Sequence, residues 1–119
     1  MSAEERLADA LRAEHAAIYG YGPVGARVGA NRGGLAGDAE LAHRVRRDAL
    51  LLRLAGTGSP PPAEPAYALP FAVTDRASAL RLALLLEEST AQVWRRALAE
   101  TTGADRGMAL DALVDCAVR

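Results

Sequence analysis

A chain of 119 residues holds one compact domain (1–119), and with half of those residues hydrophobic it has the material for a packed core. Fourteen basic residues, all Arg, stand against 15 acidic ones for a formal charge of −1, so there is no basic surplus or tail with which to neutralise phosphates, and a nucleic-acid partner is excluded. No apolar run approaches the ~20 residues that span a bilayer, the acidic amphipathic start is unlike a secretory signal, and the single cysteine, Cys116, rules out an internal disulfide; a cytoplasmic protein with no membrane partner is expected.

Aromatic residues make up only 4% of the chain, so the core must be built from Leu, Ala and Val, and Leu and Ala are the strongest apolar helix formers. Ser2, three residues before Glu5, forms a capping-box start. Leu7, Leu11, Ile18, Tyr21 and Val28 then follow at helical spacing, and Glu14 and Gly25 fill the missing places on that stripe. Gly20, Gly22 and Pro23 interrupt the pattern without shifting its phase, which predicts one long, bent helix over about 3–31. Asn31, Gly33 and Gly34 make a turn, and Asp38 is the expected N-cap of a second helix ending near Gly56. Its stripe reads Leu41, Val45, Leu52 and Ala55 with Asp48 inside it, while Leu50, Leu51 and Leu54 broaden the apolar surface to a second side.

Five of the six prolines fall in residues 57–75, so this segment cannot be an ordinary helix. Tyr67, Leu69, Phe71 and Val73 alternate with small or rigid residues, which predicts an extended strap lying along the helices. Such a segment can return the chain to the end where helix two began, so that helix three runs parallel to helix two. Thr74 or Asp75 caps helix three, whose stripe reads Leu80, Leu84, Glu87, Ala91, Trp94 and Leu98, and Gly103 stops it. Asp105 opens a last helix with Leu110, Leu113, Val114 and Ala117 on one face. The fold class is all-α: a four-helix bundle with a long Pro-rich crossover between helices 2 and 3, the connectivity of ferritin-like bundles.

The strings AEHAAIYGYG (13–22), AHRVRRDALL (42–51), AYALPF (66–71) followed by VTD, and ALDALVDCAVR (109–119) resemble an actinobacterial ferritin-like domain family of unknown function, over nearly the whole chain. The resemblance implies a ferritin-like four-helix fold and a homodimer, and implies no activity. Pro23 departs from the uninterrupted helix expected there.

A ferritin-like dimetal centre needs inward carboxylates from two helices and a Glu-x-x-His motif from each of the other two. Glu14, His43 (within Glu40-Leu-Ala-His43), Asp48 and Glu87 are the candidate ligands, with iron or manganese as the metal their oxygen and imidazole donors suit. The last helix offers Asp111 and Asp115 but no histidine. At 100° per residue His43 lies about 200° around the second helix from Leu41, and Asp48 only about 20°, so they cannot share a narrow stripe. Counted from the turn, Glu14 and Asp48 differ in level by ~10 Å, which puts Tyr21, Asp48 and Glu87 together and Glu14 near Arg95.

The reading that follows is a buried polar network, since buried carboxylates need partners. Tyr21 is the partner expected for Asp48, and Arg47 or Arg95 for Glu14 or Glu87. His15 leaves the stripe toward partial exposure, and Cys116 reads as a small buried hydrophobe. With no cofactor expected, the chain reads as a non-catalytic, dimeric scaffold or interaction module, the alternative being a degenerate or mononuclear metal-binding protein; whether it is an enzyme stays open.

Overall fold

The computed structural model describes residues 2–31 and 33–118; Met1, Arg32 and Arg119 lie outside the described residues. Four helices and no strand make up the described residues: α1 (Ala3–Val28), α2 (Leu35–Leu54), α3 (Arg76–Glu100) and α4 (Gly103–Val118).

Ser2 Oγ accepts from Glu5 N at 3.1 Å and starts α1 as its sequence foretells. The helix passes unbroken through Pro23 and ends at Val28, short of residue 31, because Gly29 turns to a φ of 94°. Asp38 is not the N-cap of α2. That place belongs to Gly34, and Asp38, inside the first turn, reaches back to accept from Gly33 N at 2.7 Å. Asp75 caps α3 in a reciprocal box: its carboxylate accepts from Ser78 N at 2.8 Å, while Ser78 Oγ accepts from Asp75 N at 3.1 Å. Gly103, with φ of 60°, is the first residue of α4, and Asp105 falls within its first turn.

Two apolar clusters fix the arrangement. Leu7, Ala10 and Leu11 of α1 pack with Leu50 and Leu54, Trp94 and Ala97, and Ala109 and Ala112. Tyr21 and Val24 pack with Ala36 and Ala39, and with Ala79, Leu82 and Ala83. The starts of α2 and α3 therefore share one cluster and their ends the other, so the two helices run in the same direction. Residues 55–75 carry the chain back along α1. His15 Nε2 donates to the Pro61 carbonyl at 3.1 Å, the Tyr19 and Tyr67 rings lie 5.6 Å apart, and Leu69, Phe71 and Val73 rest on the second cluster. His15 is thus buried, not half-exposed, because the strap covers it.

Helix packing is strongest for α1 on α2, α1 on α3, and α3 on α4, giving the order α2, α1, α3, α4 around the core. The remaining seam, between α2 and α4, is joined by ion pairs: Arg46 to Asp115, and Arg53 to Asp105 through two bonds of 2.8 and 2.9 Å.

Three helix faces differ from the sequence expectation. On α2 the buried residues are Ala36, Ala39, His43, Leu50 and Leu54, nearly opposite the anticipated stripe; Leu41, Val45 and Leu52 point outward, Leu52 at 80% exposure. On α3 the core side is Ala79, Leu82, Ala83, Glu87, Thr90, Trp94 and Ala97, turned part of the way round from Leu80, Leu84 and Ala91. On α4 it is Ala109, Ala112 and Cys116, with Leu110 and Val114 exposed. The common cause is alanine. Small side chains let helices approach closely, so they take the contact lines while bulkier leucines flank them. Among the described residues no helix is long and apolar enough to cross a membrane.

Candidate functional site

At mid-height, where the two apolar clusters meet, all four helices send polar groups inward. Glu14 and Tyr21 come from α1, His43 and Arg46 from α2, Glu87 and Trp94 from α3, and Asp115 and Cys116 from α4. Glu14 and Tyr21 lie seven residues apart, two helical turns, so one stripe of α1 presents both. The same spacing places Glu87 and Trp94 together on α3, and three residues separate His43 from Arg46.

His43 stands at the centre. Its Nδ1 bonds Glu14 Oε1 and its Nε2 lies 2.7 Å from Glu87 Oε2. Carboxylates only accept, so both ring nitrogens donate and His43 is an imidazolium. Arg46 Nη2 also lies 2.9 Å from Nδ1; between two donors this is packing contact, not a hydrogen bond. Glu14 Oε2 accepts from Arg46 Nε at 2.7 Å and from Trp94 Nε1 at 2.8 Å. Glu87 Oε2 also accepts from the Tyr21 hydroxyl at 2.6 Å. Arg46 continues outward, donating to Asp115 Oδ2 at 2.6 Å and to Cys116 Sγ at 3.6 Å.

The electrostatics follow. Burial by itself would push the His43 imidazole down, but the bonds to Glu14 and Glu87 and their charges outweigh it, so the group is held above its usual range. Burial pushes the Glu87 carboxyl up, yet the bond and charge of His43 and the Tyr21 hydroxyl carry it below the ordinary carboxylate value. Glu14 overcomes the burial of Arg46 and keeps its guanidinium charged. Burial pushes the Cys116 thiol up to about 12, which leaves it a poor nucleophile.

Of the anticipated ligand set, Glu14, His43 and Glu87 come together. Asp48 does not: it is exposed and pairs with its neighbour Arg47 at 3.0 Å. Arg47 and Arg95 both lie outside the cluster, Arg95 on the surface. Tyr21 partners Glu87 rather than Asp48. The level count holds for Tyr21 with Glu87 and for Glu14, which meets Trp94, the neighbour of Arg95; it fails for Asp48 because α2 turns that face outward. Arg46 and the role of Trp94 as a donor went unread, and Asp115, offered as a carboxylate of the last helix, is the outer partner of Arg46. Arg46 could have been found, since three residues past a buried His43 lies the same helix face. Among the described residues no group of three or more His, Cys, Asp or Glu is disposed to hold a metal ion.

Fold and site define an all-α protein of four helices whose interior holds a charged cluster drawn from every helix. The chain belongs to the family described as a domain of unknown function, DUF4439, whose model matches residues 6–119. It is similar to the crystal structure of a conserved hypothetical protein, rv2844, from Mycobacterium tuberculosis: identity is 40% and the TM-score 0.87, over 98% of this chain and 84% of that one. No curated protein matches. Neither the family's description nor that neighbour's name carries a catalytic activity.

Proposed function

We propose that the chain is a non-catalytic, ferritin-like four-helix bundle with a Pro-rich crossover, in which the polar cluster is a structural core and an outward face of α2 pairs two copies into a scaffold. The observation that carries this reading is that His43 and Glu14, two of the three candidate ligands brought together, are fully engaged by other partners. Both His43 nitrogens point protons at carboxylates, which leaves no lone pair for a metal. Both Glu14 oxygens are taken, by His43, Arg46 and Trp94. Two cations already supply the positive charge that iron or manganese would bring, so the residues as arranged do not fit such an ion. Support for pairing comes from Leu41, Val45 and Leu52, a narrow exposed apolar stripe on a helix that packs chiefly on α1. A single, buried cysteine agrees with a cytoplasmic setting.

Two measurements test the reading. Elemental analysis after aerobic ferrous loading is expected to find less than stoichiometric iron and manganese, and sedimentation at micromolar concentration to find twice the chain mass. Stoichiometric metal that disappears in Glu14→Ala would overturn the structural assignment. A monomer at all concentrations would overturn the scaffold.

A further inference from the structure

α4 has 16 residues against the 25 of α3, and only Thr101 and Thr102 separate them, so α4 folds back and leaves the first part of α3 uncovered. A trough lies on that side, lined by α3 at every third and fourth residue from Leu80 to Arg95. At 1.5 Å per residue those four turns extend about 22 Å. Spread over that length, a volume of about 540 Å³ leaves a mean section of roughly 25 Å². A helix, 10–12 Å across, needs several times as much; an extended hydrocarbon chain does not. The two ends of the trough differ. Toward Leu80 the lining is apolar, from Leu80, Ala83 and Leu84 with Leu35 and Ala39 of α2, and Leu113 and Ala117 of α4 continue it. Toward Arg95 it is polar, from Glu88, Gln92 and Arg95. Tyr21 and Glu87 also line it, but Glu87 has its charge met by His43 at 2.7 Å and is bonded to the Tyr21 hydroxyl. Glu88 and Arg95 are exposed and form no ion pair among the described residues. Glu88 stands two turns in from Arg95, where a chain offers only methylenes. The end position belongs to Arg95, with the Gln92 amide on the same helix face, and a guanidinium fork matches a carboxylate.

We propose that this trough binds a straight-chain aliphatic carboxylate, its hydrocarbon laid along Leu84 and Leu113 toward Leu80 and its carboxylate held by Arg95 and Gln92. Arg95 and Gln92 donate and the carboxylate accepts, while the tail leaves water for a wall already apolar. This goes beyond the scaffold reading and does not depend on dimer formation, because none of Leu41, Val45 and Leu52 lines the trough.

The test is a titration of the full chain with decanoate below its micelle concentration, followed by amide chemical shifts. Saturable shifts are expected at Ala83, Leu84, Ala91 and Leu113. 1-Decanol, with the same chain and no charge, is expected to bind about threefold more weakly or worse, the scale of one exposed ion pair. Decylamine, of opposite charge, is expected to bind more weakly than decanoate as well. Arg95→Ala should weaken decanoate by about threefold or more and leave decanol unchanged, a split that a merely structural role would not produce. Leu84→Glu should weaken both ligands. Both substitutions fall at exposed positions, so the fold is kept. The proposal is overturned by decanoate that leaves these amides unmoved, by shifts confined to the outer stripe of α2, by decanol or decylamine that binds as well as decanoate, or by Arg95→Ala that binds decanoate like the native chain.

Discussion

Replacing Glu14 by Gln keeps the volume of the side chain and removes its charge, which isolates the electrostatic role of the cluster. In the native protein Glu14 is fully buried and serves three donors, His43 Nδ1, Arg46 Nε and Trp94 Nε1. The amide presents one acceptor and one NH₂ group, so at least one donor is left facing another donor, beside two cations that keep only Glu87 and Asp115 as counter-charges. Removing one member of a buried ion pair costs about 3–5 kcal/mol. A 119-residue domain at roughly 0.05–0.15 kcal/mol per residue has about 6–18 kcal/mol in all. Glu14→Gln is therefore expected to fold, with its urea midpoint sharply lowered and its m-value unchanged. Circular dichroism follows the helices, and Trp94, the sole tryptophan, reports the site directly by fluorescence. A double-mutant cycle with His43→Gln should give a coupling of about 1 kcal/mol or more. A loss below about 1 kcal/mol for Glu14→Gln, or additive single variants, would refute the idea that this cluster is held together by its charges.

Stability should depend on pH in a defined direction. His43 is raised above the ordinary imidazole value of 6.5, so its contribution is complete below that pH and is lost as pH rises through the folded value, by at most about 1.4 kcal/mol per pH unit. Glu87 is lowered from 4.5, so its contribution is complete above that pH and is lost as pH falls through the folded value. Denaturation midpoints should be highest near pH 5–6, and His43→Gln should flatten the alkaline decline; midpoints that climb from pH 6.5 to 9 would contradict the assignment. Cys116, with its thiol pushed up to about 12 and nearly enclosed, should react with an aromatic disulfide at pH 8 only as fast as the protein opens; instant labelling would count against its burial. Gly22→Ala places a methyl in open space on exposed helix and should raise stability by about 1 kcal/mol, whereas at Gly37 the new Cβ would sit 2.2 Å from the Asn31 carbonyl oxygen and should lower it by about 1–3 kcal/mol. Equal thermal midpoints for those two variants would show that this turn is not closely packed. Val45→Glu, at a 60% exposed site on α2, should yield a monomer with an unchanged melting temperature, and a persistent dimer would move the interface elsewhere.

Helix number and the inward carboxylates Glu14 and Glu87 were legible in the chain, because helical periodicity acts locally. Which way α2 faces was not. Its leucines mark two sides, and nothing within the helix says that the side carrying Ala36, Ala39 and His43 is the one that turns inward. On α3 and α4 the same ambiguity arose from alanine lines running beside leucine lines. Partner choice inside the cluster depended on side-chain reach across helices, which backbone levels do not encode. Asp48 shows the result: it sits at the right period for the wrong face, and the structure leaves it in water with Arg47.

The central cluster also bears on how the chain reaches its native state. Glu14 and Trp94 are 80 residues apart in sequence, and Arg46 and Asp115 are 69. Any assembly that lacks one helix strands an imidazolium, a guanidinium or a carboxylate in a greasy environment, so half-built forms are disfavoured out of proportion to the contacts they miss. The penalty sharpens the unfolding transition toward all-or-none, and it makes a fragment ending before α4 a poor candidate for independent folding.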